Sequence, residues 1–209
     1  MTDHARAAFQ AATGVSRETS QRFDIYAGLL QKWNPAINLV AKTTLAHLWD
    51  RHFFDSAQLF DLAPENASKW LDLGSGGGFP GLVIAILAHE RAANLQITCV
   101  ESDQRKAVFL RTVIRETGIN AEVLTARIED LPPQGADIIS ARALAPLREL
   151  IGLAEPHLAR HGIALFPKGA QVANEMTDAL ETWAFRVDEY PSRTDDQAVI
   201  LKIGDIRRV

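Results

Sequence analysis

The stretch that decides the fold is "KWLDLGSGGGFPGLVIAI", residues 69–86. A short apolar run closes on Asp72 and Leu73, five glycines follow within eight residues, and an unbroken apolar helix former takes over. Strand, glycine-rich turn and helix in that order open a doubly wound parallel sheet, where ligands bind at the carboxyl ends of the strands. Glycines in that turn let a ligand approach the backbone with no Cβ in the way.

Downstream of Trp70 the same alternation continues. It predicts strands over 69–73, 96–101, 121–125, 137–140 and 162–167, and helices over 80–90, 104–117, 146–159 and 170–183. The runs "AFRVDEY" and "AVILKIG", joined by the turn-rich "PSRTDDQ", read as two closing strands. Upstream, Phe23, Tyr26, Leu30 and Trp33 recur at helical spacing, predicting a helix over 17–33 that Ser16 caps and Pro35 ends. Leu45, Leu48, Trp49, His52, Ser56 and Leu59 predict another over 44–60. The expectation is an α/β protein: a helical cap over 1–62 and a ligand-binding domain with a Rossmann-like, mostly parallel sheet over 63–209.

Composition narrows the partners. A net charge of −4 argues against a highly basic nucleic-acid coat protein but leaves one local basic face open. Cys99 is the only cysteine, so neither an internal disulfide nor a cysteine-based metal site can form, and no metal is expected. No apolar run approaches the roughly 20 residues of a membrane span, and residues 1–15 do not read as a signal peptide. A cytoplasmic monomer that avoids the membrane is expected.

The glycine loop lacks the Gly-Lys-Ser/Thr of a triphosphate-binding loop. Two frames remain. Gly76, Gly78 and Gly81 satisfy the dinucleotide spacing, with Glu101 about 20 residues on, but this frame puts Pro80 inside the fingerprint. The other frame is Asp72, Gly74, Ser75 and Gly76 directly at the strand end, as an S-adenosylmethionine loop. An acid there suits an ammonium-bearing ligand and repels a pyrophosphate, so Asp72 favours this frame. Glu101, followed by Ser102 at the tip of the second strand, can accept both ribose hydroxyls. Past the third strand, Ile128 can pack on an adenine face and Glu129 can accept from its amine.

Together these residues resemble the bacterial 16S ribosomal RNA guanine-N7 methyltransferases, the glucose-inhibited division protein B family. The resemblance rests on "WNPAINLVAKTTLAHLWDRHFFDS" (33–56), "LDLGSGGGFPG" (71–81), "ESDQRKAVFLR" (101–111), "ARIED" (126–130), "ISARAL" (139–144) and "FPKG" (166–169). It implies a class I methyltransferase fold, adenosylmethionine as donor, and 16S ribosomal RNA within the small ribosomal subunit as partner. It places cofactor contacts on Gly76, Phe79, Ile128, Glu129 and Arg142.

The acceptor chemistry can be read from what each route requires. Pyrimidine carbon-5 methylation needs a cysteine nucleophile, and Cys99 sits inside the second strand. Amine methylation commonly uses an Asn/Asp-Pro-Pro-aromatic turn after the fourth strand, where this chain has "SARALAPL". Guanine N7 carries a free lone pair and needs only alignment, not a base. His52, Asp55 and Ser56 share a helical face and read equally as a polar network joining cap to sheet or as substrate contacts. Arg142, Lys168 and His52 are candidate positioning residues, and Lys168 is the candidate RNA contact because it follows the fifth strand on the cofactor rim. A nicotinamide-dependent oxidoreductase and a non-catalytic ribosome-assembly factor are the competing functions.

Overall fold

The computed structural model of the protein describes residues 2–209. Five parallel strands carry the sheet: β1 (Lys69–Leu73), β2 (Gln96–Val100), β3 (Ala121–Leu124), β4 (Ala136–Ser140) and β5 (Leu158–Lys168). β6 (Trp183–Pro191) and β7 (Val199–Arg208) complete it antiparallel, in the order β3-β2-β1-β4-β5-β7-β6. The last strand in sequence thus lies between β5 and β6 rather than at the edge. The order turns back between β1 and β4, the topological switch point where an open sheet forms its ligand crevice.

Alternation along the strands divides the core in two. Trp70, Ile97, Cys99, Ile138, Ile163 and Leu165 face α5 (Gly81–Arg91) and α6 (Gln104–Thr117). Leu71, Leu73, Ile139, Ala164, Phe166 and Leu201 face α7 (Leu147–Ala154) and the shorter α8 (Val172–Leu180). Residues Leu82 to Ala88 of α5 are all buried, because the sheet covers one side of the helix and the N-terminal helices cover the other.

Those N-terminal helices are α1 (Thr2–Thr13), α2 (Arg17–Ile37), α3 (Lys42–Leu45) and α4 (Asp55–Ala57), with a π-helical segment at Trp49–Phe54. Phe9, Phe23, Tyr26, Leu30 and Phe53 belong to the same continuous core as α5 and α6. Cap and sheet therefore fold against each other. Ser16 caps α2 as expected, accepting from the Thr19 N–H at 3.1 Å. Pro35 does not end the helix: it forfeits one backbone bond in the last turns, and the stop comes at Asn38, in the left-handed conformation with φ 48°. The expected helix over 44–60 is broken, since the π-helical segment shifts the 3.6-residue register and puts both His52 and Phe53 inside. α7 stops at Ala154, a 3-10 turn through Pro156 follows, and β5 begins at Leu158, four residues earlier than its apolar run suggests.

The approach of α5 to the sheet depends on Gly81. A Cβ there would sit 2.7 Å from Asp72 Oδ2 and 2.8 Å from Cys99 Sγ, both fully buried. Gly81→Ala is expected to destabilise the protein by about 1–3 kcal/mol through overpacking. The check is the denaturant midpoint, read with an unchanged slope.

Candidate functional site

At the carboxyl ends of β1 to β4 lies a cavity of about 680 Å³, within the roughly 300–1,000 Å³ of small-molecule sites. Its walls include Gly74, Ser75, Gly76, Phe79, Glu101, Ser102, Ile128, Glu129 and Arg142, residues brought together from four strand ends. The loop turns through left-handed backbone at Gly76 (φ 55°) and Gly78 (φ 91°). At Gly76 an added Cβ would meet nothing closer than the Gly74 carbonyl at 3.8 Å, so the conformation rather than crowding calls for glycine. At Gly78 it would collide with the Tyr26 hydroxyl, which donates to the Gly77 carbonyl and ties the cap to the loop.

Asp72 departs from expectation. It is the second of two β1 side chains, after Trp70, that point toward α5, so it lies beneath the loop and does not line the cavity. Its oxygens accept from the Ser140 hydroxyl at 2.7 Å and the Gly81 N–H at 3.1 Å, while Ser140 accepts from Trp70 Nε1 at 2.8 Å. Burial pushes its pKa up to about 6 despite the bonds from Ser75, Ser140 and Gly81 that oppose the shift. Asp72 is thus an internal clamp and not a ligand contact.

Glu101 does reach the cavity wall. One oxygen accepts from the Gly76 N–H and the other from the Asp103 N–H, each at 2.8 Å, so the side chain stitches the glycine loop to the start of α6. A carboxylate has about four acceptor positions, and two remain for a ligand. Ile128 presents a buried apolar side chain, and Glu129 is exposed beside it.

Arg142 is held over the Phe79 ring, 4.8 Å from its centroid. It donates to His52 Nδ1 at 2.7 Å, to the Arg51 carbonyl at 3.1 Å and to Asp55 Oδ2 at 3.2 Å. Because Arg142 can only donate, His52 Nδ1 is an acceptor, which leaves Nε2 to donate to Thr44 Oγ1 at 2.9 Å. Burial first, then Arg142 and Arg51, lower the His52 pKa to about 3. His52 and Asp55 therefore converge on Arg142, whereas the buried Ser56 hydroxyl has no hydrogen-bond partner among the described residues.

Lys168 lies on the strand-end rim, but it lines a second cavity, of about 500 Å³, that shares Arg142, Ala143 and Leu144 with the first. It is not a free cation: its Nζ donates to Glu175 at 2.7 Å and to the Ala145 carbonyl at 3.0 Å, with the side chain only 9 % exposed. On α6, Arg105 is spent on Asp103, Arg111 on the Val123 carbonyl and Thr125, and Arg115 on Glu116. Sequence reasoning missed Lys106, Arg127, Leu39, Thr44 and Leu144 on the first cavity and Glu175 on the second. Lys106 lies in the first turn of α6, just past the end of β2; the cap residues arrive only through tertiary packing.

The family described as "GidB: rRNA small subunit methyltransferase G" matches residues 19–197. The chain belongs to that family. A ribosomal RNA small subunit methyltransferase G from Ruegeria pomeroyi is 55% identical over 195 residues, covering 93% of this chain and 95% of the relative. One from Cereibacter sphaeroides is 53% identical over 198 residues, covering 95% of each. Among solved structures, cofactor-bound Rv0187 from MTB aligns with a TM-score of 0.60 at 13% identity, over 88% of this chain and 89% of that one. A methyltransferase from Geobacter sulfurreducens aligns at 0.57 and 10% identity, over 85% and 86%. Those two likenesses bear on the fold, which is the class I methyltransferase sheet that the family resemblance implied.

The Asp72 clamp has a pH signature. Its folded pKa of about 6 lies above the ordinary 3.8, so the folded state binds the extra proton between these values. Its contribution is fully present below about pH 4 and is lost as pH rises through about 6, amounting to about 3 kcal/mol. Asp72→Asn, an amide of the same shape, should lack this slope. Between about pH 4 and 6 the unfolding free energy of the wild type should fall by about 3 kcal/mol relative to that of Asp72→Asn, and from about pH 6 to 8 the two should run parallel.

Proposed function

We propose that the protein transfers a methyl group from S-adenosylmethionine to N7 of a guanine in 16S ribosomal RNA, in the cytoplasm and on the small ribosomal subunit. The observation that carries this reading is the wall of the first cavity, where a left-handed glycine loop faces a Glu101 carboxylate with two acceptor positions left. Glu101 would hold the ribose hydroxyls, Ile128 would cover one adenine face, and Glu129 or the backbone beside it would accept from the adenine amine. The Gly74–Gly76 backbone, Phe79 and Arg142 bound the other end, and residues 1–62 serve as a cap that supplies part of the wall. When bound, the cofactor supplies an electrophilic sulfonium methyl.

A dinucleotide is disfavoured at the same place. Its pyrophosphate would need the N-terminus of α5, and there the Gly81 N–H is already taken by the buried Asp72 carboxylate.

The chain's own residues then orient and exclude water. The stack of Tyr26, Phe79 and Arg142 fixes Arg142, which lines both cavities, with Tyr26 and Phe79 centroids 5.5 Å apart and inclined by 18°. No base is needed, and the histidine at the site does not offer one: His52 is neutral, and its Nδ1 lone pair is occupied by Arg142.

Glu101→Gln should weaken adenosylmethionine binding by about 1–3 kcal/mol, measured by equilibrium titration, as a charge-assisted acceptor is lost. Labelled methyl transfer to small subunits, followed by mapping of the modified base, tests the function itself; label on an amine, a ribose or protein would overturn it. The single-turnover rate should be nearly flat between about pH 6.5 and 8.5. A tenfold rise per pH unit there, abolished in one histidine variant, would sink the base-free mechanism.

A further inference from the structure

We propose that the second cavity takes the target guanine, turned out of its RNA stack, and that Glu175 and Lys168 read its Watson–Crick edge. The inference rests on the function proposed above and names the site at which that function chooses its base. The cavity, about 500 Å³, adjoins the cofactor cavity through the shared wall of Arg142, Ala143 and Leu144. Chemistry on a base generally requires that the base leave its stack for such a pocket.

The pair is built rather than loose. Glu175 Oε2 accepts from Lys168 Nζ at 2.7 Å and from the Leu147 N–H at 2.8 Å, and Lys168 also donates to the Ala145 carbonyl at 3.0 Å. The loop after β4 and the end of β5 thus fix both side chains. Both bonds to Glu175 fall on Oε2, which leaves the acceptor positions of Oε1 on a residue that lines the cavity, and a lysine ammonium with two donors used keeps a third.

A donor beside a carboxylate presents a defined pattern. Guanine offers an acceptor at O6 followed by donors at N1 and N2, which matches a lysine next to a carboxylate. Adenine and cytosine each offer a donor followed by an acceptor, which the same pair would repel. With the N1 and N2 edge held by Glu175, N7 remains as the free edge for the wall shared with the cofactor cavity. In the transfer, the carbon–sulfur bond breaks with its electrons going to sulfur, the N7–carbon bond forms, and the positive charge passes to the purine without loss of a proton. A carboxylate hydrogen-bonded to N1–H and N2–H₂ stabilises that charge as it develops.

The alternative is that Glu175 only props Lys168 and the start of α7. Ligated 16S RNA carrying guanosine or inosine at the methylated nucleotide separates the two, since inosine lacks only the N2 amine. Wild-type enzyme should prefer guanosine on the order of tenfold in kcat/KM. Glu175→Gln should reduce that preference severalfold, and Glu175→Ala should bring it near one. A prop would slow both RNAs equally and leave the ratio intact, which overturns the proposal, as does a wild-type enzyme indifferent to inosine. Ligand-observed NMR on the full-length protein gives a readout that needs neither turnover nor a variant. 5′-GMP should bind about tenfold more tightly than 5′-IMP and should not be displaced by S-adenosylhomocysteine. Equal binding, or displacement, would refute the site even if methyl transfer to guanosine proceeds. Absence of methyl transfer with selective GMP binding would instead refute the proposed function and leave the guanine site standing.

Discussion

One carboxylate holds the centre of this molecule. Asp72 leaves water completely and is met by a hydroxyl from the end of β4 and by the first N–H of α5, so that two adjacent strands and the first crossover helix join at a single side chain. An uncompensated charge at that depth would cost several kcal/mol, and the helix N-terminus offsets part of it electrostatically. Gly81 is glycine because the carboxylate must come this close, and Trp70 is oriented by the Ser140 hydroxyl that also serves Asp72. The glycine loop spans from β1 to α5 across this clamp, so its shape is set from below.

It is also set from above. Phe79 is nearly enclosed, with Tyr26, Phe53 and His52 ring centroids at 5.5, 5.9 and 4.9 Å and the Arg142 guanidinium against its face. Three of these partners come from the N-terminal helices. The cap therefore contributes to the binding wall through the same aromatic packing that joins it to the sheet. The neutral state of His52 belongs to that arrangement, because a protonated ring would face Arg142 with like charge and lose its acceptor.

How much of this was legible in the sequence depended on whether local pattern or tertiary contact decided the residue. The strands β1 to β4 were readable because each is a short apolar run bounded by turn residues, and the glycine loop because its spacing is local. Glu101 and Ile128 were readable because each follows a strand end. Asp72 was misplaced for a reason visible in strand periodicity: it shares a face with Trp70, whose bulk announces the core. Lys168 was located on the correct rim, yet its partner Glu175 lies seven residues on, at the start of α8, and no spacing rule links them. The π-helical segment and the insertion of β7 had no local signature, since both answer to packing against elements distant in sequence.

The position of β7 bears on how the protein is made. β7 (Val199–Arg208) is an interior strand whose neighbours β5 and β6 both precede it in the chain. Among the described residues β6 pairs only with β7, so it cannot join the sheet until β7 has been synthesised. Domains of many proteins begin to fold from the N-terminus while still attached to the ribosome. Here completion of the sheet waits for β7, and β5, which carries Lys168 at its tip, has an unpaired edge until then. A nascent chain that has not yet delivered β7 would expose that edge, so the order of synthesis leaves the rim that carries Lys168 unfinished until β7 arrives.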